Sequence, residues 1–362
     1  MKGEGRCTWN TPHLPANRMT RRERILAAID HKPVDRVPIG FDWFEPLRGK
    51  VLAHFGVDTP EALYEKTGIE GFSVWDWPSV QPRYVGPPRD GVTEYDASMA
   101  YGCWGKVGER VYPLAGRELD AYRWPVVADF DFSSLASDLR RIRDMDMTTV
   151  SGHAGCGWLH HVQMRSYEHA FYDLADEDWM EEYMARNRAF LVPYFEALFA
   201  HADGLIDIIR ADEDLGGQQS MLISPDSWRR WYKPLWKEVF DICRGHGARV
   251  WLHSCGYCRP LVEDFIELGV SVLNPLPPYV REGDPEDMKR AYGSRLSFDG
   301  GIDQMNVLAQ GTPDDVQREV RLRMAQLAPG SGWILGPSQV LSGDMPVENV
   351  IAFFETALAC RG

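Results

Sequence analysis

The sequence predicts an α/β protein built as a single (β/α)8 barrel of the TIM type. Three observations carry this prediction. From Asp138 onward, apolar runs and amphipathic stretches alternate as a run of strand–helix units, the rhythm of a parallel sheet. Two or three further candidate strands lie upstream, which brings the count close to the eight of a closed barrel. No Gly-x-Gly-x-x-Gly or Walker loop follows any of these strands, which argues against an open nucleotide-binding sheet.

Bulk properties narrow the function classes. The chain has 362 residues, 44% hydrophobic and 25% charged, the balance of a soluble globular protein. Its net charge of −14, with no basic block, argues against a nucleic-acid partner. No apolar run reaches the ~20 residues needed to span a bilayer, so no membrane association is expected. Residues 1–19 are polar and contain proline; they read as a flexible extension, and residues 20–362 as the barrel domain. The extension lacks the apolar core of a signal peptide. The seven cysteines are odd in number and scattered, so they form no disulfide framework. A reducing cytoplasm is the expected compartment, and there Cys255 is free to act as a thiolate.

The elements follow in order. Thr20 to His31 predicts a helix: Thr20 and Glu23 have capping-box spacing, and Ile25, Leu26 and Ile29 form its apolar stripe. Arg36 to Asp42 reads as a first strand, Pro60 to Lys66 as a short helix, and Phe72 to Asp76 as a second strand. Residues 78–127 are rich in Pro, Gly, Tyr and Trp, with β-like pieces such as Val107 to Tyr112. They read as an irregular excursion over the barrel mouth, the position of lids and substrate walls. Thr148 to His153 is a strand. Helices follow over Tyr167 to Asp176 and Glu177 to Ala202. The strand Leu205 to Ala211 runs into Asp212, Glu213 and Asp214. Ser224 to Gly245 predicts one long helix, with Pro225 near its start. Arg249 to Cys255 is a strand, Arg259 to Leu268 a helix and Val270 to Asn274 a strand. Asp284 to Tyr292 is a helix and Leu296 to Gly301 a strand. Thr312 to Leu327 is a helix opened by Pro313. Trp333 to Pro337 is the last strand and Val347 to Ala359 the last helix.

Barrel enzymes place their chemistry at the carboxyl ends of the strands. Those ends collect Asp42 with Trp43, Asp76, His153, the Asp212–Asp214 triplet with nearby Gln218, His253 with Cys255, Asn274, Asp299 and Gln339. Nearly every candidate strand thus ends in a polar group that a plain core would reject. Side chains alternate along a strand, so Trp251, His253 and Cys255 share one face. An imidazole and a thiolate pointing the same way suit zinc, and a catalytic zinc takes three protein ligands and keeps one open position. Cys258 lies close enough in sequence to be the third ligand, and Gln339 could supply a weaker oxygen instead. The competing reading is a buried structural pair, with Cys258 in the core at the start of the next helix.

The residues resemble the uroporphyrinogen decarboxylase superfamily, in particular its methyltransferase-like branch. The resemblance runs from about Thr20 to the C-terminus. It rests on Thr20 to Ile29 (TRRERILAAI) with Asp35 to Pro38 (DRVP), on His253 to Gly256 (HSCG), on Phe298 to Asp303 (FDGGID), and on Ile334 to Pro337 (ILGP) with Pro346 to Asn349 (PVEN). It implies a single (β/α)8 barrel, often dimeric. The decarboxylase branch carries an arginine-rich stretch after the first strand, to grip the substrate's carboxylates. Here that stretch reads Phe41 to Pro46 (FDWFEP), where Asp42 and Glu45 would repel a polycarboxylate. In thiol-methylating members a His-x-Cys pair and a later cysteine hold zinc. His253 and Cys255 match the pair, and the later cysteine falls at about Gln339.

The resemblance implies a corrinoid-linked methyltransferase, demethylating a methoxylated small molecule, aromatic or otherwise, and passing the methyl group to a corrinoid on a partner protein. Asp212, Glu213, Asp214 and Asp299 are candidates to protonate the departing oxygen; the competing reading has them pairing with Arg210 or capping the next helix. Asp42, Trp43, Asp76, His153, Gln218 and Asn274 are candidate substrate contacts, and Trp75, Trp77 and Trp104 are placed to extend an aromatic wall. Two other readings remain open: a metal-free lyase of the decarboxylase type, and a catalytically silent barrel that binds a small ligand or a corrinoid.

Overall fold

A computed structural model of the chain describes residues 19–73, 79–87, 112–154 and 157–360. Asp76, Trp75, Trp77, Trp104 and most of the β-like piece ending at Tyr112 lie outside the described residues.

The chain opens with helix α1 (Arg21–Ile29), where Thr20 and Glu23 form the expected reciprocal capping box. Helices α2 (Leu47–His54) and α3 (Pro60–Thr67) follow; α3 is capped by Thr59 and stopped by Gly68, whose φ of 71° suits glycine. The two short strands β1 (Arg83–Tyr84) and β2 (Phe130–Asp131) pair antiparallel. Then come α4 (Leu135–Asp144), β3 (Val150–Ala154), α5 (Trp158–Arg165), α6 (Tyr167–Asp173), α7 (Glu177–His201) and β4 (Ile208–Glu213). The series continues with α8 (Pro225–Trp231), α9 (Lys233–Gly245), β5 (Arg249–Ser254), α10 (Val262–Leu268) and β6 (Val270–Asn274). It closes with α11 (Pro285–Tyr292), β7 (Ser297–Ile302), α12 (Pro313–Leu327), β8 (Trp333–Pro337) and α13 (Val347–Cys360).

The chain divides into two compact units. Unit one comprises Met1–Ser79, Ile142–Thr148 and Ser271–Gly362. In it β6, β7 and β8 run parallel, with Val272 opposite Ser297 and Phe298 opposite Trp333. The described parts of the expected first and second strands make isolated parallel bridges, Ile39 to Leu335 and Gly40 to Phe72; the rest of the second, beyond Ser73, lies outside the described residues. The Ile39 segment is anchored by a buried ion-pair network. Glu70 Oε2 accepts the Ile39 amide at 2.9 Å, and Glu70 Oε1 pairs with Arg24 at 2.9 Å and Arg36 at 3.1 Å. Such a network tolerates burial because each charge has a partner.

Unit two comprises Val80–Arg141 and Thr149–Val270. Strands β3, β4 and β5 run parallel, and their register sets Ile208 opposite both Val150 and Arg249, and Asp212 opposite His253. Among the described residues, the parallel segments number five in unit one, two of them isolated bridges, and three in unit two. The described part of the irregular excursion is tied down by Arg165. Its Nη1 donates to the carbonyls of Leu114, Ala115 (3.2 Å) and Gly116 (2.9 Å) while its Nε pairs with Asp173 at 2.7 Å.

Two elements differ from expectation. The long helix over Ser224 to Gly245 breaks at Tyr232 into α8 and α9, because Pro234 cannot supply the amide that a continuous helix needs there. Helix α5 stands where no helix was expected. Its N-cap is Gly157, which offers no capping side chain and so no sequence signal. Among the described residues, no helix is long and apolar enough to cross a membrane.

Candidate functional site

In unit two, β5 delivers His253 in its last turn of alternation, with the residue only 2% exposed. Cys255 follows immediately, and its Sγ lies 3.2 Å from His253 Nε2. The third group is Asp214, one residue past β4, whose Oδ1 stands 3.5 Å from the same Nε2 and accepts the Cys255 amide at 3.2 Å. One ligand atom from each of Asp214, His253 and Cys255 lies within 4.8 Å of the other two.

The loops after the two strands hold these groups together. Gly216 and Gly256 touch backbone to backbone: a Cβ on Gly256 would stand 2.1 Å from the Gly216 oxygen. The Gly216 amide donates to the Cys255 carbonyl at 3.2 Å and the Tyr257 amide to the Gly217 carbonyl at 2.7 Å. Gly256 has a φ of 77°, which any side chain would strain.

The donor set fits zinc. A tetrahedral ion with bonds of about 2.3 Å to sulfur and about 2.0–2.1 Å to nitrogen or oxygen separates its ligands by roughly 3.5 Å. The 3.2 Å and 3.5 Å spacings are of that size. The electrostatics agree. Burial opposes charge on the His253 ring, but the Cys255 sulfur and the Asp214 carboxylate outweigh it and hold the imidazole pKa well above its ordinary value. A place that stabilises a proton so strongly is one that favours a cation. Three protein donors also leave one position open, as a catalytic zinc requires.

Among the described residues, Cys258, Asp212 and Glu213 stand outside the trio. Cys258 is buried, and burial pushes its thiol up to about 12; among the described residues it is not part of the close trio. Asp212 is engaged by Arg210 through two contacts, 3.0 Å from Nε and 2.5 Å from Nη2. Glu213 points to the opposite face of β4 and is fully buried. Its Oε1 accepts both the Trp228 indole at 2.9 Å and the Trp236 indole at 2.8 Å, and its Oε2 the Leu159 amide at 3.3 Å. Burial raises its pKa to about 7 against the pull of these donors. Gln218 is exposed beyond the Gly216–Gly217 turn, and His153 lies on β3 in register with Arg210.

Unit one has a polar cleft lined by Asp42, Ser73, Asn274, Asp299 and Gln339 among others, with about 350 Å³ of empty space, open solvent included. Asp299 is 6% exposed, and its Oδ2 accepts from Asn274 Nδ2 at 3.0 Å. Ser73 donates to Asp42 Oδ1. Gln339 turns its Oε1 to the Val340 amide at 3.1 Å. Trp43, by contrast, is 5% exposed and packs edge-on against Phe41 at 5.0 Å and beside Phe354 at 6.3 Å, within the core. Sequence reasoning overlooked Ser73, although a small polar residue directly after Phe72 in a predicted strand was the available signal. It also overlooked the Gly216–Gly256 contact, which no local pattern announces.

The family described as uroporphyrinogen decarboxylase (URO-D) matches residues 111–359. No curated protein matches the sequence. Among solved structures, a methyltransferase from Methanosarcina mazei is similar with a TM-score of 0.63 and 19% identity, covering 93% of this chain and 98% of that one. A D-psicose 3-epimerase from Clostridium cellulolyticum H10, solved with D-tagatose, aligns with a TM-score of 0.36 and 13% identity over 64% of this chain and 82% of its own. The epimerase likeness is too slight to carry an argument, whereas the first establishes an α/β fold of the TIM-barrel class. The family match spans every strand from β3 to β8 and all three residues of the trio, and the chain belongs to the uroporphyrinogen decarboxylase family.

Proposed function

We propose that the chain is a corrinoid-linked methyltransferase. In this reading it holds zinc through His253, Cys255 and Asp214 and demethylates a methoxylated small molecule, with a corrinoid on a partner protein as acceptor. The observation that carries the reading is the convergence of an imidazole, a thiol and a carboxylate within 4.8 Å. The family membership and the fold shared with the methyltransferase support it. Asp42 and Glu45, in place of basic groups after the first strand, disfavour a polycarboxylated substrate.

Bound zinc would supply Lewis acidity, polarising the ether oxygen as its bond to the methyl carbon weakens. The chain's own residues prepare this. His253 presents Nε2 as donor from a strand end where backbone pairing fixes its direction. Cys255 contributes sulfur, and its amide orients Asp214 by donating to Oδ1. The departing oxygen needs a proton, and a carboxyl group kept protonated by its surroundings is the expected source.

The test is direct. Purified protein is mixed with cob(I)alamin and a panel of methoxylated aromatics, and methylcobalamin absorbance is followed. The reading expects methylcobalamin with at least one donor and none from His253→Ala. No methylcobalamin from any donor contradicts it, and turnover that persists in chelator would favour a metal-independent lyase.

A further inference from the structure

We propose that Glu213 is a positioning residue for the metal trio, fixing where Asp214 stands relative to His253 and Cys255; the inference rests on the metal-binding reading above. Glu213 does not face the trio. Strand alternation sends its side chain to the side of β4 away from Asp212 and Asp214. There it is fully buried and gripped from three helices: Trp228 on α8 and Trp236 on α9 both donate to Oε1, at 2.9 Å and 2.8 Å, and the Leu159 amide on α5 reaches Oε2 at 3.3 Å.

Helix α5 depends on this carboxylate. Its N-cap is Gly157, so no local side chain satisfies the first free amides. The carboxylate of Glu213 takes that place through space, and it fits because Gly157 has no Cβ. A Cβ there would stand 2.1 Å from Glu213 Oε1. Glu213 is therefore a cap, an acceptor for two indoles and a strand residue at once, and its backbone has little freedom to rotate.

Asp214 is where that rigidity matters. Pairing between β4 and β5 ends at Glu213 opposite Ser254, so Asp214 has no strand partner of its own. It is held from behind by Glu213, and from ahead by Leu215 donating to Ser254 Oγ at 3.4 Å and Gly216 donating to the Cys255 carbonyl at 3.2 Å. A turn of the backbone at Glu213 swings the Asp214 carboxylate away from His253, and metal affinity falls steeply when an outer partner stops orienting a ligand, typically 10–100-fold.

The experiment is zinc titration against a competing chromophoric chelator at pH 8, on the full chain, for wild type, Glu213→Gln, Trp236→Phe and Asp173→Asn. Glutamine keeps the shape but turns an amide nitrogen toward one set of donors. The expected result is zinc affinity at least about tenfold lower in Glu213→Gln and an intermediate loss in Trp236→Phe, in line with the cost of lost outer partners. Asp173→Asn removes a different buried carboxylate of the same unit and should lower stability while leaving affinity within about twofold. Glu213→Gln with wild-type affinity but a lowered thermal midpoint would show a merely structural role and overturn the proposal. If Glu213→Gln does not fold, an unchanged affinity in Trp236→Phe overturns it instead. A wild type that takes up no zinc overturns the metal-binding reading itself, and this inference with it, a result distinct from equal binding by all four proteins.

Discussion

Gly216 and Gly256 meet backbone to backbone, with room for no side chain on either: a Cβ on Gly216 would lie 2.3 Å from the Tyr257 nitrogen, and one on Gly256 would lie 2.1 Å from the Gly216 oxygen. This contact joins the loop after β4 to the loop after β5, and so joins Asp214 to Cys255. Gly256→Ala should pay for the left-handed φ of 77°, roughly 1–2 kcal/mol, before any steric cost. The obstructing atoms are backbone and cannot swing aside. Zinc binding should fall by more than stability does, and parallel zinc titration and thermal melts would show it. Equal binding with wild type would mean the loops do not set the trio.

Glu213 predicts an unusual pH dependence. Burial raises its pKa from 4.5 to about 7 in the folded chain. Between those values the folded protein binds a proton that the unfolded chain has released, so stability from this group falls as pH rises. The full effect, at roughly 1.4 kcal/mol per pH unit, is about 3 kcal/mol at most. Denaturant unfolding of wild type and Glu213→Gln at pH 5, 6, 7 and 8 should converge as pH rises, because only the wild type loses this contribution. A constant gap across the range would contradict the assignment.

Asp173 predicts the opposite sign. Burial alone would raise its pKa, but hydrogen bonds from His161 and Arg165 hold it below the ordinary aspartate range. Its contribution is present above the unfolded pKa and is lost as pH falls through the lower folded value. Asp173→Asn leaves Arg165 and His161 buried beside a neutral amide, which should cost about 3 kcal/mol or more near neutral pH. The same change should release residues 114–116, whose carbonyls Arg165 holds, and faster amide exchange there would register it. A loss under about 1 kcal/mol would show that the pair is solvated in solution.

Much of this was legible in the sequence, for identifiable reasons. The fold class followed from repeated strand–helix units, a local signal. His253 and Cys255 share a face because strand alternation is local too, and the structure sets their atoms 3.2 Å apart. Asp214 stood out as a strand-end carboxylate, but its approach to His253 depends on a loop folding back against Gly256, forty-two residues on, and no short-range pattern encodes that. Helix α5 was hidden for the same reason, since the group that caps it sits on β4, 54 residues away. The break between α8 and α9 was legible in Pro234 and was outweighed by the continuous apolar period around it. Trp43 read as a substrate wall from its position after a strand, yet Phe41 and Phe354 draw it into the core.

The most direct measurement is X-ray absorption at the zinc edge on the purified chain, with metal content determined for wild type, His253→Ala and Cys255→Ser. The expected result is about one zinc per chain, with one sulfur at about 2.3 Å and the remaining ligands nitrogen or oxygen at about 2.0–2.1 Å, and loss of the ion from both variants. A wild type free of zinc, a coordination shell without sulfur, or variants that keep the metal would contradict it.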